Sequence, residues 1–169
     1  MRYCSTKCRV AAHRSAPPKA LRDVARWIRW SKDKVPLTIK GNAASSTNAS
    51  TWTDYESAAS SSVGVGVGFV LSGDDRIVCV DLDDCLDSRG RLLAWAKDVV
   101  DGLPATYVEV SPSGRGLHVW GFGDVDRARC TTGVEVYGSR RYITVTGRRW
   151  RHSVGTFAEL NVWIDSLPV

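Results

Sequence analysis

The sequence predicts an α+β fold built on a largely antiparallel sheet with flanking helices. Three observations lead there. Short runs rich in β-branched and aromatic residues are separated by glycine-bearing turns, stretches with apolar residues at helical spacing lie between them, and no internal repeat is present. With 169 residues, 43% of them hydrophobic and 24% charged, the chain is long enough to bury one core.

Taken in order, Leu21, Val24, Ala25 and Ile28 recur at helical spacing, so an amphipathic helix is expected over residues 18–30, opened by Pro17 and Pro18. After Pro36 the polar stretch GNAASSTNAS is rich in turn and N-cap residues and leads into a short helix near residues 53–60. VGVGVGFVL and DDRIVCVDLDD read as two strands of a hairpin joined through SGDD. Gly64, Gly66 and Gly68 are followed by a strand and not a helix, which excludes a dinucleotide fingerprint and points to close strand packing. Residues 91–100 form a helix through Leu92, Leu93, Ala96, Val99 and Val100. TYVEVS and LHVWGF make a second hairpin across PSGRG, VEVY and YITVTG a third across GSRR. A final helix sets Phe157, Leu160, Ile164 and Leu167 on one face.

Charge is unevenly spread. The total is +5, with +9 in residues 1–40, −6 in residues 41–90 and +2 in the remainder. A basic arm therefore precedes an acidic middle, a pattern that suits phosphate contacts followed by a cation site. No apolar run reaches the roughly 18 residues of a membrane span, and no apolar signal segment opens the chain, so a cytoplasmic protein is expected. Five cysteines without an export signal argue for reduced thiols. Cys79 and Cys130 read as small core residues and Cys85 as packing a turn. For Cys4 and Cys8, followed by His13, a basic tail is expected; half of a Zn²⁺ site, as a truncated knuckle or one shared with another chain, is the alternative.

Side chains two apart in a strand share a face, so Asp81 and Asp83 present paired carboxylates at the end of the apolar run IVCV. Two adjacent like charges are costly to bury without a cation, and Mg²⁺ or Mn²⁺ is the usual oxygen-ligated one. Ending a strand and capping a turn is the alternative role for such acids. Glu135 in VEVY and His118 in LHVW are polar residues within apolar strands, and each alone also fits a half-solvated sheet. Together, carboxylates and a histidine from separate hairpins can converge on one face, as metal-assisted phosphoryl chemistry requires. Glu109 is a further acid, for which a solvated or structural role is expected. The SPSGRG turn offers backbone N–H groups, the hydroxyls of Ser111 and Ser113, Gly114 and the guanidinium of Arg115, an anion-binding composition; an ordinary hairpin loop is the alternative. Arg140 and Arg141 lie just beyond Glu135 and can clamp a triphosphate. No GxxxxGK[ST] motif occurs.

The ordered set DLDDC, YVEVSPSGRGLHVWG and VEVYGSRRYITVTG resembles the catalytic domain of phage and plasmid primase-polymerases of the archaeo-eukaryotic primase superfamily. Upstream, RWIRWSKDKVPLTIKGNAASSTNASTW is similar to the family's entry segment, a Trp-rich strand leading through Lys-x-Pro to Ser-Ser-Thr and a Trp, so the resemblance runs from about Arg26 to Gly147. It implies an RRM-like sheet with a small N-terminal αβ portion, a catalytic domain over residues 18–169, and a basic arm over residues 1–17. Asp81, Asp83 and Glu135 fall on the acids that bind two Mg²⁺ or Mn²⁺ ions. His118 falls on the histidine that contacts the incoming nucleotide's phosphates, assisted by Arg141 and the turn from Ser111 to Arg115. The superfamily pattern has a serine two residues before that histidine, where this sequence has Gly116; Ser111 and Ser113 are expected to do its work. The implied activity is template-dependent nucleotidyl transfer, DNA priming or polymerisation, on a single-stranded DNA template with nucleoside triphosphates, in phage or plasmid replication. A helical priming domain or helicase is expected from a separate partner. A metal-dependent nuclease and a non-catalytic single-strand binder using arginines and tryptophans are the readings it competes with.

Overall fold

The structure, a computed structural model, describes residues 16–151 and 153–169. The Cys4, Cys8 and His13 segment lies outside the described residues. The architecture is α+β with two antiparallel sheets. The first has strand order β2-β1-β3-β9, from β1 (Trp27–Trp30), β2 (Pro36–Leu37), β3 (Gly66–Ser72) and β9 (Ser139–Val145). The second runs β5-β6-β4-β8-β7, from β4 (Ile77–Leu82), β5 (Tyr107–Val110), β6 (Leu117–Phe122), β7 (Arg129–Thr131) and β8 (Val134–Tyr137). Four short α-helices and one 3-10 turn (Ala49–Thr51) accompany them among the described residues: α1 (Lys19–Arg22), α2 (Tyr55–Ser60), α3 (Ala94–Val100) and α4 (Asn161–Asp165). None of these helices is long and apolar enough to cross a membrane.

Period-two alternation along the second sheet explains its two faces. Val78, Val80 and Leu82 of β4, Leu117 and Val119 of β6, and Val134 and Val136 of β8 point to one side and bury against Ala96 of α3 and Trp163 and Ile164 of α4. Ile77, Cys79, Tyr107, Trp120 and Tyr137 point to the other side and pack with Trp27, Phe69, Leu71, Ile143 and Val145 of the first sheet. The second sheet is thus the middle layer. At one end of its inter-sheet face the apolar alternation gives way to polar residues, and that end forms the site.

Several elements differ from the sequence expectation. β3 and β4 do not form a hairpin: β3 pairs with β1 and β9, whereas β4 pairs with β6 and β8 in the other sheet. The VEVY–YITVTG hairpin is absent for the same reason, since β8 lies in the second sheet and β9 in the first. Both connections are sheet switches. A register irregularity at Leu71/Ser72 and left-handed backbone at Gly73, Arg76 and Arg140 carry the chain across. Hairpin β5–β6 is as expected, and β7–β8 is an additional one.

The expected helix over residues 18–30 stops at Arg22, and Trp27–Trp30 is a strand buried against β3, as the Trp-rich entry segment of the resembling family implies. Its β-branched and aromatic residues gain more from pairing than the local period gains from a helix. The last helix is confined to Asn161–Asp165, with Phe157 and Leu160 ahead of it. The helices near residues 53–60 and 91–100 are present as α2 and α3, with Asp54 capping α2 through the Ser57 N–H at 2.8 Å. Close packing explains the glycines of β3: a Cβ on Gly66 would come within 2.8 Å of the Trp30 indole, and one on Gly68 within 2.9 Å of Tyr142. Cys79 and Cys85 are buried, whereas Cys130 is exposed because β7 is an edge strand.

Candidate active site

The strand register assembles the site. Asp81 pairs with His118 across β4–β6 and with Glu135 across β4–β8, and His118 pairs with Glu109 across β6–β5. Glu109, His118, Asp81 and Glu135 therefore form one continuous cross-strand row on the inter-sheet face. Asp83 follows β4 on the same side as Asp81. Asp81, Asp83 and Glu135 each offer a carboxylate oxygen, and the three oxygens lie within 4.8 Å of one another. Glu135 is thus brought from a distant part of the chain to the Asp81–Asp83 pair at the end of β4.

The donor set suits a hard divalent cation. Asp81 Oδ1 is buried and makes no hydrogen bond, its histidine neighbour being too far for one, an incompletely satisfied state that a cation on the carboxylate would relieve. Burial raises the Asp81 carboxyl above its ordinary value; Asp83 and Glu135 add to the rise, and His118 opposes it. Glu135 is fixed by the Tyr137 hydroxyl, which donates to its Oε2 at 2.7 Å. His118 Nε2 is 3.7 Å from that same Asp81 Oδ1. Burial of His118 lowers its pKa, but a hydrogen bond with Glu109 and the charges of Asp81, Glu109 and Asp83 outweigh that, and the net shift is upward.

Asp81, His118 and Tyr137 line a cleft of about 400 Å³, a volume within the range of small-molecule sites, while Asp83 and Glu135 lie beside Asp81 outside that lining. Asp81 is the one acid of that lining, beside His118 and Tyr137, and Lys34, Arg140 and Arg141 supply positive charge. Arg141 comes from β9 of the first sheet and lies over the Tyr137 ring, 4.7 Å from its centroid. Arg140 holds a left-handed backbone, and its carbonyl accepts from the Ser46 hydroxyl at 3.0 Å, tying the Ser-Ser-Thr segment to the cleft rim.

The SPSGRG turn sits apart from the cleft lining. Ser111 and Ser113 bond to each other through their hydroxyls at 3.0 Å, Gly114 has a left-handed φ of 79°, and Arg115 pairs with Asp84 at 2.8 Å on the surface. A Cβ on Gly116 would come 2.9 Å from Ser111 Oγ and 2.8 Å from the Leu82 carbonyl, so the Ser111 hydroxyl occupies space that a side chain at 116 would need. Sequence reasoning undervalued Glu109, which is fully buried, passed over Tyr137, and met Lys34 only as the lysine of the Lys-x-Pro segment. The signal for Tyr137 was its two-residue offset from Glu135.

Over an alignment of 176 residues, the chain is 38% identical to a protein described as a DNA primase-polymerase of Nitratiruptor phage NrS-1. The chain is a relative of that phage primase-polymerase. The match takes in 89% of this chain but 24% of the relative, so the chain spans about a quarter of the length of the curated protein it matches. No protein-family model matches the chain. Similarity to the phage protein agrees with the resemblance carried by the acidic, histidine and Ser-Arg motifs.

Proposed function

We propose that this chain is the nucleotidyl-transfer domain of a phage-type primase-polymerase, which joins a nucleoside triphosphate to a growing strand on a single-stranded DNA template. The observation that carries the reading is the convergence of Asp81, Asp83 and Glu135 within 4.8 Å beside a basic cleft, in a relative of a DNA primase-polymerase. In the reaction a primer 3′-hydroxyl attacks the α-phosphorus of the triphosphate, an O–P bond forms as the hydroxyl proton passes to solvent, and pyrophosphate leaves with the electrons of the broken P–O bond. In priming, the hydroxyl of a first nucleotide takes the place of the primer end.

Each residue has a role that follows from its chemistry. Asp81, Asp83 and Glu135 hold Mg²⁺ or Mn²⁺, two ions by the resemblance. Bound there, divalent ions supply charge stabilisation for the attacking and leaving oxygens. Lys34, Arg140 and Arg141 counter the triphosphate charge, Arg141 with a guanidinium pre-oriented on Tyr137. His118 turns Nε2 towards Asp81 and the cleft, where it meets a phosphate oxygen. The turn from Ser111 through Arg115 adds backbone N–H groups, hydroxyls and a guanidinium for the triphosphate by the resemblance, with Ser111 standing in for the hydroxyl that Gly116 lacks. Residues 18–169 hold this chemistry, and the basic arm of residues 1–17 adds template phosphate contacts, inside the host cytoplasm if the protein is phage-encoded. A helical priming domain or a helicase is the partner that would assist initiation.

Incorporation of labelled nucleotides with Mn²⁺ on single-stranded template, with and without annealed primer, tests the proposal. Extension dependent on Asp81 and Asp83 supports it. Strand cleavage without incorporation would favour a nuclease, and template binding with neither reaction a passive single-strand binder.

A further inference from the structure

Glu109 is a fully buried acid that the nucleotidyl-transfer reading leaves without a task. Its surroundings are unusually specific. Oε2 accepts from the Gly147 N–H at 2.8 Å, the Thr146 N–H at 3.1 Å and the Tyr107 hydroxyl at 3.1 Å. Thr146 Oγ1 lies 3.3 Å from the same oxygen, but its proton goes to the Val110 carbonyl at 2.7 Å. Three donors on one oxygen pin the carboxylate from β5, from the β9 end and from the chain just beyond it. The other oxygen, Oε1, is left for a single neighbour, His118 Nδ1, at 3.3 Å.

Both partners are closed to solvent: the His118 side chain is 4% exposed and that of Glu109 is 0% exposed. An acceptor-only oxygen at Nδ1 selects the ring state that carries a hydrogen on Nδ1, and it leaves Nε2 aimed along the cross-strand row at Asp81 and the cleft. The β5–β6 register sets the pair directly opposite each other, so the orientation is built into the sheet and not into a mobile loop.

We propose that Glu109 is a positioning residue: anchored by Tyr107, Thr146 and Gly147, it fixes the ring of His118 so that Nε2 faces the bound nucleotide. This rests on the reading that His118 contacts the nucleotide's phosphates. The arrangement also couples the two sheets, because Thr146 and Gly147 follow β9 in the first sheet while His118 lies in the second. The strand that delivers Arg141 to the cleft therefore also sets the histidine.

The test is a double-mutant cycle on nucleotide binding, with the E109Q, H118A and E109Q/H118A variants titrated with a deoxynucleoside triphosphate in the presence of Ca²⁺. Gln keeps the volume and lets its carbonyl replace Oε2 while its amide faces Nδ1 with the wrong polarity. The expected result is about a tenfold rise in Kd for E109Q, the scale of second-layer histidine partners, and less than a twofold further change when His118 is already Ala. An equal loss in both backgrounds would overturn the proposal, since Glu109 would then act through the fold alone. If H118A leaves Kd unchanged, the phosphate reading of His118 fails on its own terms. Ring ¹⁵N spectra of the unsubstituted protein then decide the positioning claim independently of any variant's stability: Nδ1 protonated supports it, and a neutral ring with its proton on Nε2 overturns it.

Discussion

Asp81→Asn should invert its effect on stability according to whether a divalent ion is present. Without metal, three carboxylate oxygens within 4.8 Å of one another carry like charge. At an effective dielectric near 20, unit charges at that spacing repel by about 3 kcal/mol per pair. Asp83 is exposed and the Asp81 side chain is 20% exposed, so water and salt reduce the sum. Loss of the attraction to His118 reduces it further. A net gain of about 1–2 kcal/mol in EDTA follows, or a rise in Tm of roughly 2–8 °C for a chain of this size. With Mn²⁺ at a hundred times its Kd, the unsubstituted protein gains about 2.7 kcal/mol by linkage, and the variant loses most of that gain. The two melting curves should therefore exchange order between EDTA and Mn²⁺. The pH dependence has a definite sign. Burial, with Asp83 and Glu135, holds the Asp81 carboxyl above its ordinary value, so its ionisation destabilises the metal-free fold. That penalty is absent below roughly pH 4, the ordinary aspartate range, and grows as the pH rises through the folded value. The variant's advantage in EDTA should vanish on acidification. Differential scanning fluorimetry in both conditions reads all of this, and equal stabilisation of both proteins by Mn²⁺ would refute the metal assignment.

His118→Ala should weaken nucleotide binding more than template binding, and equal losses in separate titrations would mark a folding defect or a DNA contact instead. Deleting residues 1–17 removes Arg2, Lys7, Arg9 and Arg14; at about 0.7 per phosphate contact on single strands, the slope of log affinity against log salt should flatten by up to about 3 in filter-binding titrations, and an unchanged slope would mean the arm is idle on nucleic acid. Gly66→Ala places a Cβ 2.7 Å from Trp30 Nε1 and should cost about 1–3 kcal/mol in urea unfolding; a neutral effect would mean that β1 and β3 have room to separate.

The parts of the fold legible in the sequence are those that local chemistry determines. TYVEVS and LHVWGF alternate cleanly around a glycine turn, and they form β5–β6. The two misread hairpins have equally good turns, SGDD and GSRR, but strand pairing depends on which sheet receives the next strand, and residues near a turn carry little of that information. Residues 18–30 mislead because Leu21, Val24, Ala25 and Ile28 satisfy a helical period while Trp27 and Ile28 are buried by strand pairing with β3. In the site, Asp81 and Glu135 were readable because charge within apolar strands is costly and therefore conspicuous, and Asp83 because it repeats Asp81 at a two-residue spacing. Glu109 carried the same signal, yet its value depends on Thr146 and Gly147, nearly forty positions further along the chain. Tyr137 was silent, a common residue whose meaning comes only from the cleft, and Lys34 stood out only as the lysine of the Lys-x-Pro segment.

The central claim is that the acidic row beside the basic cleft performs nucleotidyl transfer. The most direct measurement is incorporation of labelled nucleotide on primed single-stranded template in Mn²⁺, comparing the unsubstituted chain with folded Asp81→Asn and Asp83→Asn variants. Template-directed extension that either substitution abolishes is the predicted result, and extension that persists near the unsubstituted level in either folded variant would contradict the account.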